Sequence, residues 1–528
     1  MSAPLVAIGL DACNPRLLED WMDRGLLPNL ARFRAEGAFG TVNNVRYYRT
    51  ETSWITFLTG ALPGQTGEWG HVQYDPARYA AEERSAYAFN KYPPFYAYMP
   101  AKRVAVFDPP LARLVDGVNG VQVLGWGTEA NQCLRTSQPQ GLMAELLARH
   151  GAHPMFETSA PEVSEAGEEV YSYRIPSSYD MAAIEGLRDR LVAGAARRAA
   201  MMRDLLVREP WDLFLGVFSE THTASHLLWH VSQRHPLHDT LMQGRSDDPL
   251  LEVFQAVDRA LAAVLDAAPD DADVVLFSIY GIAENVLDLP SMAFLPELLY
   301  RWSFPGQQML GGAVDIAPGR DYPAHWKDEV WRLRTARGDA ELESPDRQAQ
   351  RGDPMHWQPA NWYRPLWPRM RAFALPTYSE GLIRINVQGR ERDGQVAPGD
   401  YQRTCDEICD YLSAVRDARS GKPMVKEIVR VRQDPLDDDG FGPPADLIVL
   451  WQEDTATDLI ESPSAGRIGP LPYFRTGGHC SQGFLAARGP RIQPGSRLSD
   501  LQATDLTATL LSLLGQAVPD YVDGRAVL

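Results

Sequence analysis

A chain of 528 residues with 69 acidic and 51 basic side chains has a formal charge of -18, a field that repels polyphosphate backbones and argues against nucleic acid as a partner. A bound cation and local donors can still reverse the potential inside one pocket, so a small anionic substrate is not excluded. With 45% hydrophobic and 23% charged residues, the composition is that of a globular protein and excludes extended disorder.

The first apolar run, LVAIGL (5–10), is expected as a buried strand rather than a secretory leader, because no basic segment precedes it. Asp11 follows directly, in a position that suits either a helix cap or a ligand. Residues 15–37 show a helical pattern. The segment TETSWITFLTG (50–60) has a polar opening followed by an apolar helical run. Thr50 or Thr52 is there either an N-cap or a hydroxyl at the positive end of the helix dipole, where an alkoxide and an incoming anion are both stabilised. Residues from about 75 to 205 break the alternation of strand and helix, and are read as surface elaboration or as a cap over a substrate pocket.

Alternation resumes with the strand DLFLGVF (212–218), followed by SETHTASH (219–226). His222 and His226 lie four apart, which on a helix puts both imidazoles on one face, as a shared cation requires; a pair of polar residues without metal is the other reading. A helical pattern at 248–268 and the strand DVVLFS (273–278) come next, then a second irregular stretch at about 290–375. DLIVLW (446–451) and GFLAARG (483–489) are further expected buried parallel strands, and His479 sits in the glycine-rich RTGGHCSQGF (475–484) between them. Glycines there let backbone and imidazole approach a small ion closely. Three neutral imidazoles suit zinc better than magnesium or calcium.

No run approaches the roughly 18–20 apolar residues of a membrane span, so no membrane partner is expected. Cys13, Cys133, Cys405, Cys409 and Cys480 are odd in number and scattered, which does not form a disulfide framework and fits a reducing cytoplasm. Cys405 and Cys409 are read as one helix face. The predicted architecture is a single α/β domain over 1–528, with a mostly parallel central sheet, helices on both faces and cap-like insertions at about 75–205 and 290–375. In such sheets ligands collect beyond the carboxyl ends of the strands.

The ordered set GLDA (9–12), TETSWITFLTGALPGQTG (50–67), SETHTASH, AFALPTYSEGLIRINVQGRERDGQVAPGDY (372–401), RTGGHCSQGFLAARGP (475–490) and DLTATLLSLLG with DGRAVL (505–528) resembles the alkaline phosphatase superfamily. Within it, the chain is similar to the type I phosphodiesterase/nucleotide pyrophosphatase branch and its bacterial phosphohydrolase and phosphomutase relatives. The resemblance implies a three-layer α/β sandwich and a metal-dependent enzyme acting on a small-molecule phosphate or sulfate ester through a covalent threonyl intermediate. The nucleophile falls on Thr50, ten residues before Gly60. One divalent ion, zinc by its ligands, falls on His222, His226 and His479, and the positions of a second ion include Asp11 and Thr50.

Where the family has an SDHG motif, this chain reads Ser278-Ile279-Tyr280-Gly281. Isoleucine cannot ligate and a neutral phenol is a poor zinc ligand, so one ion is expected more firmly than two. Asp11 or Glu51 is then the expected base for Thr50, and Tyr280, Asn285 and Thr52 are the expected substrate contacts. Three outcomes stay open: a one-metal hydrolase, a phosphoryl or sulfuryl transferase, and a non-catalytic binding protein. A homo-oligomer is left open as well.

Overall fold

The computed structural model describes residues 3–44, 51–70, 72–83, 87–127, 133–156, 162–163, 169–171, 175–311, 322, 324–437, 442–454 and 456–528. From the N-terminus the chain runs through β1 (Leu5–Leu10), α1 (Pro15–Asp23), α2 (Pro28–Glu36), β2 (Ala38–Asn43) and α3 (Glu51–Thr59). β3 (Val104–Phe107), β4 (Gly120–Leu124) and β5 (Thr136–Gln138) follow, then α4 (Met181–Leu206), β6 (Leu213–Phe218), α5 (Glu220–Leu228) and α6 (Pro249–Leu265). Next come β7 (Asp273–Ser278), β8 (Gly281–Glu284), β9 (Ala372–Leu375), β10 (Gly381–Ile385), β11 (Val425–Arg430) and β12 (Leu447–Trp451). The chain closes with β13 (Gly477–Cys480), β14 (Gln482–Arg488), β15 (Arg497–Gln502) and α7 (Ala503–Leu513).

Nine strands form the central sheet in the order β15-β2-β14-β7-β1-β6-β3-β4-β5. Its middle is parallel: β7, β1, β6, β3 and β4 run the same way, in register from Leu5 opposite Leu213 and Asp273. These strands are continuous aliphatic runs because both faces are covered, so no polar alternation is tolerated. The fold is thus the expected α/β class, and the parallel strands bring three carboxyl ends, at Leu10, Phe218 and Ser278, to one edge.

Three sequence expectations differ from the structure. The helical pattern 15–37 is two helices, because Gly25 takes a left-handed φ of 71° and Pro28 cannot continue the first one. GFLAARG lies in the central sheet but antiparallel to both neighbours, and DLIVLW belongs to a separate four-stranded antiparallel sheet, β9-β10-β12-β11. A short apolar run reports burial on both faces, not the direction of its partner. Within the stretch 75–205, β3, β4 and β5 are strands of the central sheet and the 26-residue α4 packs over it, short elements hidden among aromatic and charged neighbours.

A second apolar core gathers around β9–β12 and the helix Leu295–Ser303, largely from residues 286–474. Between α4 and the start of α5 lies a fully buried ionic network. Arg198 donates through Nε to Glu220 at 2.8 and 2.9 Å, through Nη1 to Asp108 at 2.7 Å and through Nη2 to the Gly127 carbonyl at 2.7 Å. Burial by itself would raise the Glu220 carboxyl, yet Arg198 and His153 outweigh it and hold it at about 2. The network therefore fixes the first turn of α5 from below. Arg198→Ala strands two buried carboxylates and is expected to lower the unfolding free energy by about 3–5 kcal/mol, measured by urea denaturation.

Candidate metal centre

Asp11, Ser219 and Ile279 each follow the last residue of one of the three central parallel strands, so the sheet itself gathers them. The Asp11 amide donates to the Phe218 carbonyl at 2.9 Å, and the Thr221 hydroxyl donates to the Asp11 carbonyl at 2.7 Å. Asp11 is not the cap of α1, since Asn14 accepts from the amides of Arg16 and Leu17. One turn into α5, His222 and His226 project together over this edge.

His479 arrives from the other end of the chain. β13 pairs antiparallel with β8, setting His479 opposite Ile282, and the Thr476 amide donates to the His226 carbonyl at 3.0 Å. The two glycines before His479 are required by that approach. A Cβ on Gly477 would lie 2.0 Å from the Ser225 carbonyl oxygen, and one on Gly478 would lie 2.8 Å from Asn285 Oδ1. At position 477 no side chain fits between β13 and α5.

The three Nε2 atoms converge. His222 and His479 are 2.9 Å apart, His226 and His222 are 2.9 Å apart, and His226 and His479 are 3.1 Å apart, all three residues being buried. Tetrahedral ligands about 2.0 Å from an ion stand roughly 3.3 Å from one another, so the triangle is close to what a zinc-sized cation needs. Burial first, and the Arg475 charge second, hold His222 and His226 well below the usual imidazole range, so they are neutral at pH 7. His226 Nδ1 lies 2.6 Å from the Gly477 carbonyl, which only an Nδ1–H can satisfy, leaving its Nε2 as a lone pair facing the other two rings. The donor set fits a divalent cation.

Asp11 meets this cluster from behind. Its Oδ2 is 3.2 Å from His222 Nδ1, its Oδ1 accepts from Trp54 Nε1 at 3.1 Å, and Tyr280 also hydrogen-bonds to it. Burial raises its carboxyl to about 7 against the lowering effect of those hydrogen bonds and of Arg198. The buried Tyr280 ring stands edge-on to His222 and His479, at centroid distances of 6.0 and 5.2 Å, while Ile279 is buried in the core. Asn285 is a brace: its Nδ2 donates to Asp288 and to the Arg475 carbonyl, and its Oδ1 accepts from the Leu287 and Asp288 amides. Thr52 is buried in the first turn of α3. Glu51 opens α3, and Thr50 lies outside the described residues.

Two site residues were not singled out by sequence reasoning. Trp54 ties α3 to Asp11, and Arg475 places Nη1 2.9 Å from His226 Nε2. Both lie inside the quoted motifs, but an indole in an apolar run and an arginine before a glycine pair carry no signal of their own. Among the described residues no helix is long and apolar enough to cross a membrane, and Cys13, Cys405, Cys409 and Cys480 are free thiols.

A parallel-centred α/β sheet thus carries, beyond its carboxyl edge, a three-histidine cluster that could hold a metal ion. The family model for type I phosphodiesterase / nucleotide pyrophosphatase matches residues 5–437, and the chain belongs to that family, within the alkaline phosphatase superfamily. The protein is accordingly an enzyme of the class that hydrolyses phosphoric ester bonds. No curated protein matches the chain significantly. Among solved structures it is similar to the phosphonoacetate hydrolase of Sinorhizobium meliloti 1021 in complex with phosphonoformate, at 16% identity, 98% coverage of this chain, 96% of the other and a TM-score of 0.49. It is also similar to murine ectonucleotide pyrophosphatase / phosphodiesterase 5, an inactive form in complex with AMP, at 10% identity, the same coverages and a TM-score of 0.47.

Gly477→Ala tests the close approach of β13 to α5. Overpacking against a backbone carbonyl is expected to cost about 1–3 kcal/mol of stability. Because it pushes His479 away from its partners, the substitution should also weaken any uptake of a divalent cation by the three histidines about tenfold or more in a competition titration.

Proposed function

We propose that this protein cleaves a phosphoryl or sulfuryl ester of a small molecule through a covalent intermediate on Thr50, using one divalent ion, zinc by donor chemistry, held by His222, His226 and His479. The observation that carries this reading is the convergence of three imidazoles, His222, His226 and His479, beyond the carboxyl ends of the parallel strands. The ion would supply Lewis-acid stabilisation of negative charge developing on the substrate.

The remaining roles follow from the chain's own groups. Asp11 Oδ2 lies 3.2 Å from His222 Nδ1, on the side of that ring away from the cluster, where a carboxylate can orient a ligand imidazole and raise its basicity. We therefore place Asp11 behind the ligands rather than among them. Trp54 and Tyr280, both bonded to Asp11, hold its carboxylate and exclude water around it. Trp54 also locks α3 to the site, which supports Thr50, immediately before that helix, as the attacking hydroxyl. The helix N-terminus stabilises an alkoxide and an incoming anion, and Glu51 or Asp11 is placed in sequence to take the proton. Tyr280 and Thr52 serve as walls of the substrate site, and Asn285 serves it through the Arg475 loop. Water resolves the intermediate in a hydrolase, and an alcohol or amine would resolve it in a transferase. With an acidic surface and no membrane-spanning helix among the described residues, the setting proposed is the cytoplasm.

Two measurements test the reading. Thr50→Ala should reduce turnover of aryl phosphate mono- and diesters by a factor of at least about 10³ while leaving the melting temperature within 2–3 °C, roughly the shift of a sub-kcal/mol change; full turnover in that variant ends the threonyl proposal. Elemental analysis should find about one zinc per chain, lost in His226→Ala and on chelation, and chelation should lower the melting temperature by linkage. A wild-type chain that takes up no divalent metal would remove the metal from the scheme.

A further inference from the structure

Arg475 is anchored more firmly than a residue beside a ligand histidine needs to be. Its Nε donates to Asp288 at 2.5 Å, and Asn285 Nδ2 donates both to that carboxylate, at 2.9 Å, and to the Arg475 carbonyl, at 3.0 Å. Its guanidinium carbon lies 5.3 Å from the Tyr378 ring centre and 5.8 Å from that of Phe474. The side chain is only 10% exposed, and Nη1 reaches to 2.9 Å from His226 Nε2. Nη2 is buried with no hydrogen-bond partner among the described residues.

That arrangement is costly unless something completes it. Unmet buried N–H donors carry a desolvation penalty, and one imidazole lone pair cannot serve both a cation and a guanidinium. A tetrahedral oxyanion resolves both problems, because the planar fork matches two acceptor positions on a phosphoryl or sulfuryl group. The surroundings favour an anion there too. The histidine cluster is the one group of three metal-ligating side chains among the described residues, so a second cation has no comparable nest, and Ile279 and Tyr280 on the adjoining turn offer it nothing.

We propose that Arg475 is a substrate-binding residue: Nη1 and Nη2 take the non-bridging oxygens of the tetrahedral group whose reacting centre sits at His222, His226 and His479, so a fixed guanidinium provides the positive charge a second ion would otherwise provide. The proposal rests on the reading of this site as a hydrolytic centre. Asp288 is its positioning residue, setting the plane of the fork without touching the substrate.

The test uses inorganic phosphate as the probe, titrated calorimetrically into the full-length protein as wild type, Arg475→Gln, Arg475→Lys and Asp288→Asn, with zinc content and thermal melting measured on the same samples. Arg475→Gln should bind phosphate roughly 10- to 100-fold more weakly at unchanged zinc content, the range expected for a lost charged hydrogen bond. Arg475→Lys should fall between it and wild type, since an ammonium keeps the charge but not the fork. Unchanged phosphate affinity in Arg475→Gln overturns the proposal. Parallel loss of zinc and phosphate also overturns it, because Arg475 would then be a prop for His226. Should Arg475→Gln fail to fold, Asp288→Asn decides: a several-fold loss of phosphate affinity supports the proposal, and none defeats it. The same titrations on chelator-treated protein separate this proposal from the metal reading. If the wild type takes up no zinc, an Arg475-dependent phosphate affinity there still upholds the guanidinium site, and its absence ends it.

Discussion

Three imidazole Nε2 atoms facing one another across 2.9–3.1 Å in a buried setting form the constraint on which the rest of this structure depends. His226, whose Nδ1–H is committed to the Gly477 carbonyl, can only accept at Nε2, where Arg475 Nη1 also lies at 2.9 Å. A cation at the centre of this triangle would engage all three nitrogens at once. Most of what surrounds it serves to keep it from spreading apart.

Each ring is held by a different part of the molecule. His222 and His226 ride on α5, whose first turn is pinned from beneath by the Arg198, Glu220 and Asp108 network. Such a buried network is expensive in desolvation, and its use is to specify one position for the helix start. His479 is carried by β13, pressed against α5 so closely that glycine is demanded at 477. Asp11, at the end of β1, touches the far nitrogen of His222, linking the centre of the sheet to the ligand face. Helix, strand and sheet edge thus share one site, and a shift in any of them moves a donor atom.

The chemistry is asymmetric as a result. On one side stand three imidazole nitrogens; on the other, the positions where oxygen or nitrogen donors could gather are filled by Ile279 in the core and by Tyr280, whose hydroxyl is spent on Asp11. The positive charge remaining on that side is the guanidinium of Arg475, fixed by Asp288 and flanked by Tyr378 and Phe474 from the second core. The second core therefore reaches the site around Arg475, through residues 473–476 and Tyr378.

The sequence by itself determined the central parallel strands, because continuous aliphatic runs at 5–10, 213–218 and 273–278 can be satisfied only by burial on both faces. It also determined the His222 and His226 pair, since helical periodicity alone sets two residues four apart on one face, and the family motifs that add His479. The direction of the strands at 447–451 and 482–488 was not legible, because an apolar run carries no mark of its partner's polarity. Nor was the break at Gly25, or the membership of 104–107 and 120–124 in the central sheet, where short strands are masked by irregular flanks. Only the tertiary structure decided that Asp11 lies behind His222, that Trp54 and Tyr280 bind it, and that Arg475 reaches the cluster. Those relations join residues up to 269 positions apart, from Asp11 to Tyr280, and distance in space between such positions is set by packing of whole layers, which no local pattern encodes.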